Sequence, residues 1–129
     1  AEHVVRENER TLEFVHYMKN ADWFQAGEML YQSHASLREK FQVSCAELDE
    51  LVDAARQVGL TGGVLGARMT GAGFGGCVIM LVEREKASDV VSKIVEDYNR
   101  SGATLSRPRA SGFVAESAEG AQVIKCAVG

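Results

Sequence analysis

Cysteine, proline and long apolar runs are all scarce in this 129-residue sequence. The three cysteines are an odd number with no close pair, which argues against a disulfide framework and fits a reducing compartment. The three histidines lack metal-ligand spacing, so no metal site is expected. The longest apolar run, Cys77–Val82, is far too short to cross a bilayer. We therefore expect a cytoplasmic protein with no membrane partner.

Clusters of basic residues are also absent. The sequence has 14 basic and 18 acidic residues and a net charge of −4, so no nucleic-acid partner is expected. The charged N-terminal residues argue against a signal peptide. Because the chain begins with Ala1 rather than Met, we expect a piece of a longer polypeptide. A hydrophobic content of 46% and a charged content of 25% predict one globular domain over residues 1–129.

The first half of the sequence has the period of helices. Apolar residues recur at helical spacing over residues 4–18, and Asp22 is suited to cap the next helix. Ser44, with Glu47 three residues later, has the spacing of a capping box for a third helix that ends at Gly59. Between them, steps of four and three predict a second helix with the seam Trp23, Gly27, Leu30, His34, Leu37 and Phe41.

The second half has the pattern of strands around a glycine-rich loop. Alternation over residues 65–70 predicts a half-buried strand, and the all-apolar Cys77–Val82 predicts a strand buried on both faces. Residues 87–100 return to the helical period, and residues 113–116 and 122–128 predict two short strands. An antiparallel sheet with helices on one face, the α+β class, is the economical architecture for this order.

The glycine-rich loop carries the chemical information. Four of the six residues after Thr70 are glycines, which permit positive φ and expose backbone N–H groups that can surround an anion. A phosphate cradle and a hairpin that needs glycine only for tight packing explain this spacing equally well. The candidate residues of a phosphate or substrate cleft are Thr70, Gly71, Ala72, Gly73, Phe74, Gly75 and Gly76.

Three known phosphate loops do not explain this segment. A Walker A loop ends in Gly-Lys-Ser/Thr, whereas Cys77 follows Gly76 here. The G-x-G-x-x-G of a dinucleotide fold opens a helix, whereas a strand is predicted next. The protein-kinase pattern G-x-G-x-x-G-x-V is satisfied, but no V-A-I-K, H-R-D or D-F-G segment follows it.

A fourth motif fits the segment. Residues Arg68-Met69-Thr70-Gly71-Ala72-Gly73-Phe74-Gly75-Gly76-Cys77 resemble the third signature motif of galactokinases, within the superfamily of galactokinase, homoserine, mevalonate and phosphomevalonate kinases. Flanking segments resemble the same family: His3-Val4-Val5, Glu7-Asn8 and Arg10 near the start, then residues 33–38, 43–45 and 47–49. The resemblance therefore covers residues 3–82 in the family's order.

This resemblance implies a ferredoxin-like α+β domain, preceded by N-terminal helices, that forms the C-terminal half of a two-domain sugar kinase. Galactokinases transfer the γ-phosphoryl group of ATP to the 1-hydroxyl of α-D-galactose, with magnesium. In the family, the glycine loop faces a cleft shared with the N-terminal domain, which holds the base and most contacts to ATP and Mg²⁺. The implied partners are thus galactose, ATP and that N-terminal domain. No catalytic residue, metal ligand or kinase activity is expected of this chain alone.

Two other functions stay open, a non-catalytic galactokinase-like sensor of sugar and ATP, and an N-acetylgalactosamine kinase. Phe74 argues for galactokinase, since an N-acetylgalactosamine kinase is expected to carry Trp at this position. Phe74 could pack on a ligand, but we expect it to anchor the loop against the core. Arg68 is expected to approach phosphate, to face solvent or to pair with an acid. His34 is expected to be a core histidine with a hydrogen bond from Ser33 or Ser36.

Two segments depart from the family's pattern. The segment of residues 60–64, between the third helix and the glycine motif, is longer than expected for the family. The tail from Ala103 onward matches the family only in its strand pattern. Cys77, at the start of an apolar strand, is expected to be a buried and inert thiol.

Overall fold

A computed structural model of the chain describes residues 1–102 and 106–120. Within these ranges, four α-helices accompany an antiparallel sheet of two strands, so the predicted α+β class is confirmed. None of these helices is long and apolar enough to span a bilayer. The elements in chain order are α1 (Glu2–Lys19), α2 (Trp23–Glu39), α3 (Ala46–Val58), β1 (Val64–Thr70), β2 (Cys77–Val82), a 3₁₀ turn (Arg84–Lys86) and α4 (Ala87–Ser101).

Local sequence explains where the helices begin and end. Asp22 caps α2, because its Oδ1 accepts a hydrogen bond from a first-turn backbone N–H at 3.2 Å. Gly59 ends α3 with φ 62°, in the left-handed region that favours glycine. The predicted capping box of α3 is wrong. Cys45 takes the cap position in an extended conformation, and the Ser44 hydroxyl donates instead to Asp49 at 2.6 Å.

Two clusters of buried side chains form the core. The larger cluster joins α2, α3, β1 and α4, and the smaller one joins α2, α3 and the last residues of β1. Members of the larger cluster are Tyr31, Val52, Ala55, Val64, Ala67, Val90 and Ile94. Members of the smaller cluster are Leu37, Leu48 and Met69, which is 1% exposed. The smaller cluster therefore supports the end of β1 from which the glycine loop emerges.

Helix α2 lies against β1 at backbone contact distance. A Cβ atom on Gly27 would lie 2.0 Å from the Leu65 carbonyl oxygen, and one on Gly66 would lie 2.2 Å from the Gly27 carbonyl oxygen. Farther along the same helix, the Met69 backbone N–H donates to Nδ1 of His34 at 3.2 Å. Helix α2 therefore covers the edge of β1 that does not pair with β2.

Strand β2 differs from its prediction. It pairs with β1 from Val64↔Val82 to Thr70↔Cys77, with a bulge in β1 after Val64. Cys77 and Ile79 are exposed, whereas Val78, Met80 and Val82 pack against the larger core cluster. The described helices thus cover only one face of β2. The predictions of a strand buried on both faces and of a buried Cys77 thiol are wrong.

Two segments depart from the family's pattern, and the structure describes the first fully and the second only over residues 106–120. Residues 60–64 close a compact turn, in which the Val64 N–H donates to Gly59 at 2.9 Å, at the opposite end of β1. Residues 106–120 contain no helix or strand, so the strand predicted at 113–116 is wrong. That part of the chain follows α4 instead, with Gly112 against Val91 and Val95. The strand predicted at 122–128 lies outside the described residues.

Candidate functional site

The candidate site residues form the turn of the β1–β2 hairpin. Thr70 pairs with Cys77 at the last step of the ladder, and residues 71–76 connect these two positions. Thr70 and Gly73 are half-buried, and the other loop residues are exposed. The structure therefore brings all seven sequence-predicted residues into one projecting loop, and places it beyond the smaller core cluster.

Backbone conformation explains the glycines of the loop. Five of its six residues have positive φ: 92° at Gly71, 91° at Gly73, 58° at Phe74, 130° at Gly75 and 124° at Gly76. Side chains with a Cβ strongly disfavour φ values beyond the narrow left-handed region. At Gly71 and Gly75 a Cβ would meet no other atom within 4 Å. Conformation rather than tight packing therefore requires glycine at these two positions.

The tip of the loop is attached to the segment between α2 and α3. We call residues 40–45 the connector. The Phe74 backbone N–H donates to the Val43 carbonyl oxygen at 2.7 Å. Gly73 lies so close that a Cβ there would be 2.3 Å from the same oxygen. At Gly73, unlike Gly71 and Gly75, both conformation and tight packing require glycine.

Several N–H groups of the loop are free to bind an anion. Those of Gly71, Ala72, Gly73 and Gly75 donate to no acceptor among the described residues. Exposed backbone donors in a glycine-rich turn form a concavity that suits phosphate oxygens. The loop contains neither a carboxylate nor a lysine. It can therefore supply hydrogen-bond donors, but neither a proton acceptor nor a fixed charge.

Phe74 does not anchor the loop against the core, as was expected from the sequence. Its side chain is 75% exposed, and its backbone N–H holds the loop through Val43. Its φ of 58° lies in the left-handed region that residues other than glycine seldom adopt. The exposed ring is thus available to pack on a ligand or on another part of the polypeptide.

Arg68 pairs with an acid, which is one of the roles expected for it. Its Nη1 lies 3.5 Å from Oε1 of Glu7, and its Nε donates to the Met69 carbonyl oxygen at 2.8 Å. The Glu7 carboxylate also accepts from Ser33 Oγ at 2.7 Å and from Arg10 Nη2 at 3.1 Å. Burial raises the pKa of Glu7, but these hydrogen bonds and the two arginine charges outweigh it, so the pKa lies below its ordinary value.

His34 is a buried histidine that joins α2 to β1 and α3. Its Nδ1 accepts from the Met69 N–H, so the proton of the neutral ring lies on Nε2, which is 3.0 Å from Asp49 Oδ1. Burial lowers the pKa of His34 below its ordinary value, although the Asp49 carboxylate pulls in the opposite direction. The predicted core role is confirmed.

The predicted hydrogen-bond partners of His34 are wrong. Ser33 donates to Glu7, and the Ser36 hydroxyl lies 2.8 Å from Nδ1 of His3. Both serines therefore tie α2 to α1, whereas His34 points to the other side of the helix.

Comparison with known proteins identifies the family. Residues 14–100, more than half of the chain, match the family model described as GHMP kinases C terminal. The chain belongs to the GHMP kinase family. This is the superfamily that the glycine motif and its flanking segments resemble, so the resemblance is confirmed.

Galactokinases are prominent among the relatives of this GHMP kinase chain. The galactokinase of Bacillus subtilis is 40% identical over 125 residues, which are 97% of this chain and 30% of the relative. The human galactokinase is 40% identical over 124 residues, 96% of this chain and 29% of the relative. A crystal structure of Lactococcus lactis galactokinase complexed with galactose has a TM-score of 0.70 and 40% identity, over 78% of this chain and 25% of that one. The chain thus spans about 30% of the length of the relatives it matches.

Three residues that support the loop in this GHMP kinase chain were missed by sequence reasoning. Glu7 and Asp49 lie in segments that resemble the family, but a helical carboxylate usually faces solvent and gives no signal of burial. Val43 acts through its carbonyl oxygen, which no side-chain pattern reveals. Only the periodicity of α2, which placed His34 on the apolar seam, indicated a polar contact beneath the loop.

Proposed function

We propose that this chain is the C-terminal part of an ATP-dependent galactokinase, which converts α-D-galactose to galactose 1-phosphate. The observation that carries the proposal is the identity of about 40% with galactokinases over 96–97% of the chain. The similarity to a galactokinase structure that contains galactose supports the same substrate. The exposed glycine loop supplies the matching chemistry, because its free N–H groups suit a phosphate.

The reaction needs groups that this chain does not supply. On the family resemblance, we assign the base that activates the sugar hydroxyl, and the main contacts to ATP, to a preceding N-terminal domain. The share of about 30% of the relatives' length supports this two-domain arrangement, with residues 1–129 in its C-terminal half. Glu7 and Asp49 do not fit the role of the base, because arginine, serine and histidine side chains already engage both carboxylates. The isolated chain is therefore inactive in this proposal.

In the proposed enzyme, the loop forms the wall of the cleft beside the ATP phosphates. Phosphoryl transfer depends mainly on positioning and on stabilisation of developing charge, which fixed backbone donors can provide. The free N–H groups of Gly71, Ala72 and Gly75 fit this task, and the open space beside Gly71 and Gly75 leaves room for the phosphates. The proposed site comprises Thr70, Gly71, Ala72, Gly73, Phe74, Gly75 and Gly76.

Magnesium requires ligands from elsewhere. Over residues 1–102 and 106–120, no group of three or more histidine, cysteine, aspartate or glutamate side chains could hold a metal ion. Mg²⁺ is usually held by one or two carboxylates together with water and substrate phosphates, and the loop of residues 70–76 has no carboxylate. On the family resemblance, we place the main Mg²⁺ ligands in the N-terminal domain. We place the enzyme in the cytoplasm, because Cys45 and Cys77 are free thiols.

The test is ADP release by the full-length protein with ATP, magnesium and a panel of hexoses that includes galactose and N-acetylgalactosamine. We expect galactose-dependent turnover and a product phosphorylated at the 1-hydroxyl, with no turnover by the 129-residue chain alone. Binding of ATP and galactose without turnover would indicate a sensor. A preference for N-acetylgalactosamine would indicate the related kinase. Turnover by the isolated chain would contradict the division of roles between the domains.

A further inference from the structure

The tip of the glycine loop is held from outside its own hairpin. Phe74 donates its N–H to Val43 of the connector, and Gly73 packs against the same carbonyl group. Val43 in turn packs on the smaller core cluster, and its own N–H donates to the Leu37 carbonyl oxygen at 3.1 Å. A shift of the connector would therefore move the loop tip with it.

Asp49 holds the connector in place. This residue lies in the first turn of α3, with its side chain 18% exposed. Its Oδ1 accepts from Ser44 Oγ at 2.6 Å, and Ser44 is the connector residue next to Val43. Its Oδ2 lies 3.2 Å from Nε of Arg38 at the end of α2. The carboxylate thus ties α2, the connector and α3 together directly before the loop contact.

A second path leads from Asp49 to the other side of the loop. The same Oδ1 accepts from Nε2 of His34 at 3.0 Å, and Nδ1 of His34 accepts from the Met69 N–H. Met69 lies in β1, two residues before Gly71, where the loop begins. One carboxylate is therefore linked through Ser44 and Val43 to the loop tip, and through His34 to the strand that leads into the loop.

We propose that Asp49 is a positioning residue for the glycine loop, with Ser44 and His34 as the groups that transmit its effect. Asp49 holds both sides of the loop in place before ligand arrives, so that the free N–H groups already point at the phosphate position. A displacement of about 1 Å is enough to weaken such contacts severely. The inference rests on the proposed function, because it requires the loop to contact the nucleotide.

Ser44→Ala is the variant that tests this inference. It removes one hydrogen bond to Asp49 and leaves the contacts of Asp49 with His34 and Arg38, so the fold is retained. Ser36→Ala is the matched control. Ser36 is also half-buried and also loses one hydroxyl contact, at 2.8 Å to His3. Its backbone carbonyl accepts from Lys40 and Phe41 at the start of the connector, which alanine retains, and its hydroxyl bonds neither Asp49 nor the loop.

Two measurements on the full-length protein follow each variant. Hydrogen–deuterium exchange of the peptide that contains residues 70–77, without ligand, reports the position of the loop. Steady-state kinetics report KM for ATP separately from kcat. For Ser44→Ala we expect faster loop exchange and a KM for ATP raised about threefold to tenfold, with kcat within about twofold.

A variant that is merely less stable loses active enzyme, which lowers kcat and leaves KM unchanged. Ser36→Ala should change neither loop exchange nor KM.

The outcomes separate this inference from the function on which it rests. Unchanged loop exchange in Ser44→Ala overturns the positioning role and leaves the proposed function standing. Faster exchange with an unchanged KM for ATP also overturns it, and in addition removes the loop from the nucleotide site. If the wild-type protein has no turnover, the dissociation constant for ATP replaces KM in the same comparison.

Discussion

Tyr31 buries a hydroxyl group that finds no hydrogen-bond partner among the described residues. Its ring lies in the larger core cluster, with the guanidinium carbon of Arg56 4.0 Å from the ring centroid. Burial also raises the pKa of Tyr31, so the hydroxyl stays neutral over the physiological range. An unpaired buried hydroxyl costs about 1–3 kcal/mol.

Tyr31→Phe should therefore stabilise the protein. The variant keeps the ring and its contact with Arg56, and removes only the unpaired group. We expect the free energy of unfolding to rise by about 1 kcal/mol, measured as a higher Tm of the full-length protein. Tyr98→Phe is the control, since Tyr98 also lies under an arginine but its hydroxyl is not an unpaired buried atom. A lower Tm for Tyr31→Phe alone would show that the hydroxyl has a partner.

His34 should make stability depend on pH. Its folded-state pKa is lowered from 6.5 by burial, while Asp49 and Asp53 raise it and Arg38 lowers it further. The unfolded chain therefore binds a proton at a higher pH than the folded protein does. The contribution of the neutral His34 ring to the free energy of unfolding is complete above the unfolded-state pKa. It declines as the pH falls through 6.5, and it stops declining below the folded-state pKa.

Denaturant unfolding of the full-length protein between pH 5 and 8, a range of about three units, checks this dependence. His34→Gln should flatten the curve around pH 6.5, because it removes the group whose pKa burial lowers. An identical pH dependence in the His34 variant and the wild type would contradict the prediction.

At this scale, the sequence predicted the burial of His34 but not its partners, and Trp23 and Phe41 at the two ends of the predicted seam are exposed. The seam of α2 placed His34 inside, because helical periodicity is local. Its actual partners, Asp49 and the Met69 N–H, are 15 and 35 residues away in sequence and depend on how the elements pack. Phe74 was misplaced for a related reason: an aromatic ring suggests burial, but the loop projects from the hairpin and leaves this residue 75% exposed.

The contact of α2 with β1 brings the two backbones together, and it depends on two facing glycines, Gly27 and Gly66. Helix propensity alone predicts that Gly27→Ala gains about 1 kcal/mol. Steric contact predicts the opposite, because the added Cβ would lie 2.0 Å from the Leu65 carbonyl oxygen, and backbone cannot yield as a side chain can. We expect the clash to dominate.

Gly27→Ala should lower the free energy of unfolding of the full-length protein by about 1–3 kcal/mol, seen as a lower midpoint in denaturant. Ala35→Gly, at an exposed position of the same helix, measures propensity alone and should lose about 1 kcal/mol. A higher midpoint for Gly27→Ala would mean that α2 and β1 are not in backbone contact.

Elements were predictable where their signals are local. Asp22 and Gly59 marked helix ends correctly, because capping depends on a few neighbouring residues. The burial of β2 was not predictable, since an apolar run has the same composition whether one face or both are covered. The capping box at Ser44 failed because the hydroxyl had a competing acceptor in Asp49, which only the folded connector brings near.

At the scale of the whole molecule, α1 presents an apolar stripe that nothing among the described residues covers. The stripe consists of Val4, Val5, Leu12 and Val15, and Leu12 is 73% exposed. It lies on the face opposite to the residues that contact α2. The family match begins only at residue 14, so most of α1 precedes it. We expect the preceding part of the polypeptide to pack on this stripe.

Leu12→Asp should therefore destabilise the full-length protein by about 2 kcal/mol, the value of burying a leucine side chain. Glu13→Ala, at an exposed position off the stripe, should have little effect. A full-length protein whose Tm is unchanged by Leu12→Asp would show that the stripe faces solvent.

The family was predictable from the sequence because the glycine motif combines residue type, order and spacing. The function of the full-length protein was less predictable, since this chain spans only about 30% of the length of the relatives it matches. The contact between the connector and the loop tip could not be predicted from the sequence, because the Val43 backbone carbonyl provides it rather than a side chain.

In the proposed enzyme, the loop of residues 71–76 lies beside the nucleotide phosphates. Hydrogen–deuterium exchange of the full-length protein, with and without galactose, magnesium and a non-hydrolysable ATP analogue, tests this placement most directly. We expect slower exchange in the peptide that contains this loop, and little change along α4. Unchanged exchange in the loop, while the analogue protects other parts of the protein, would contradict it.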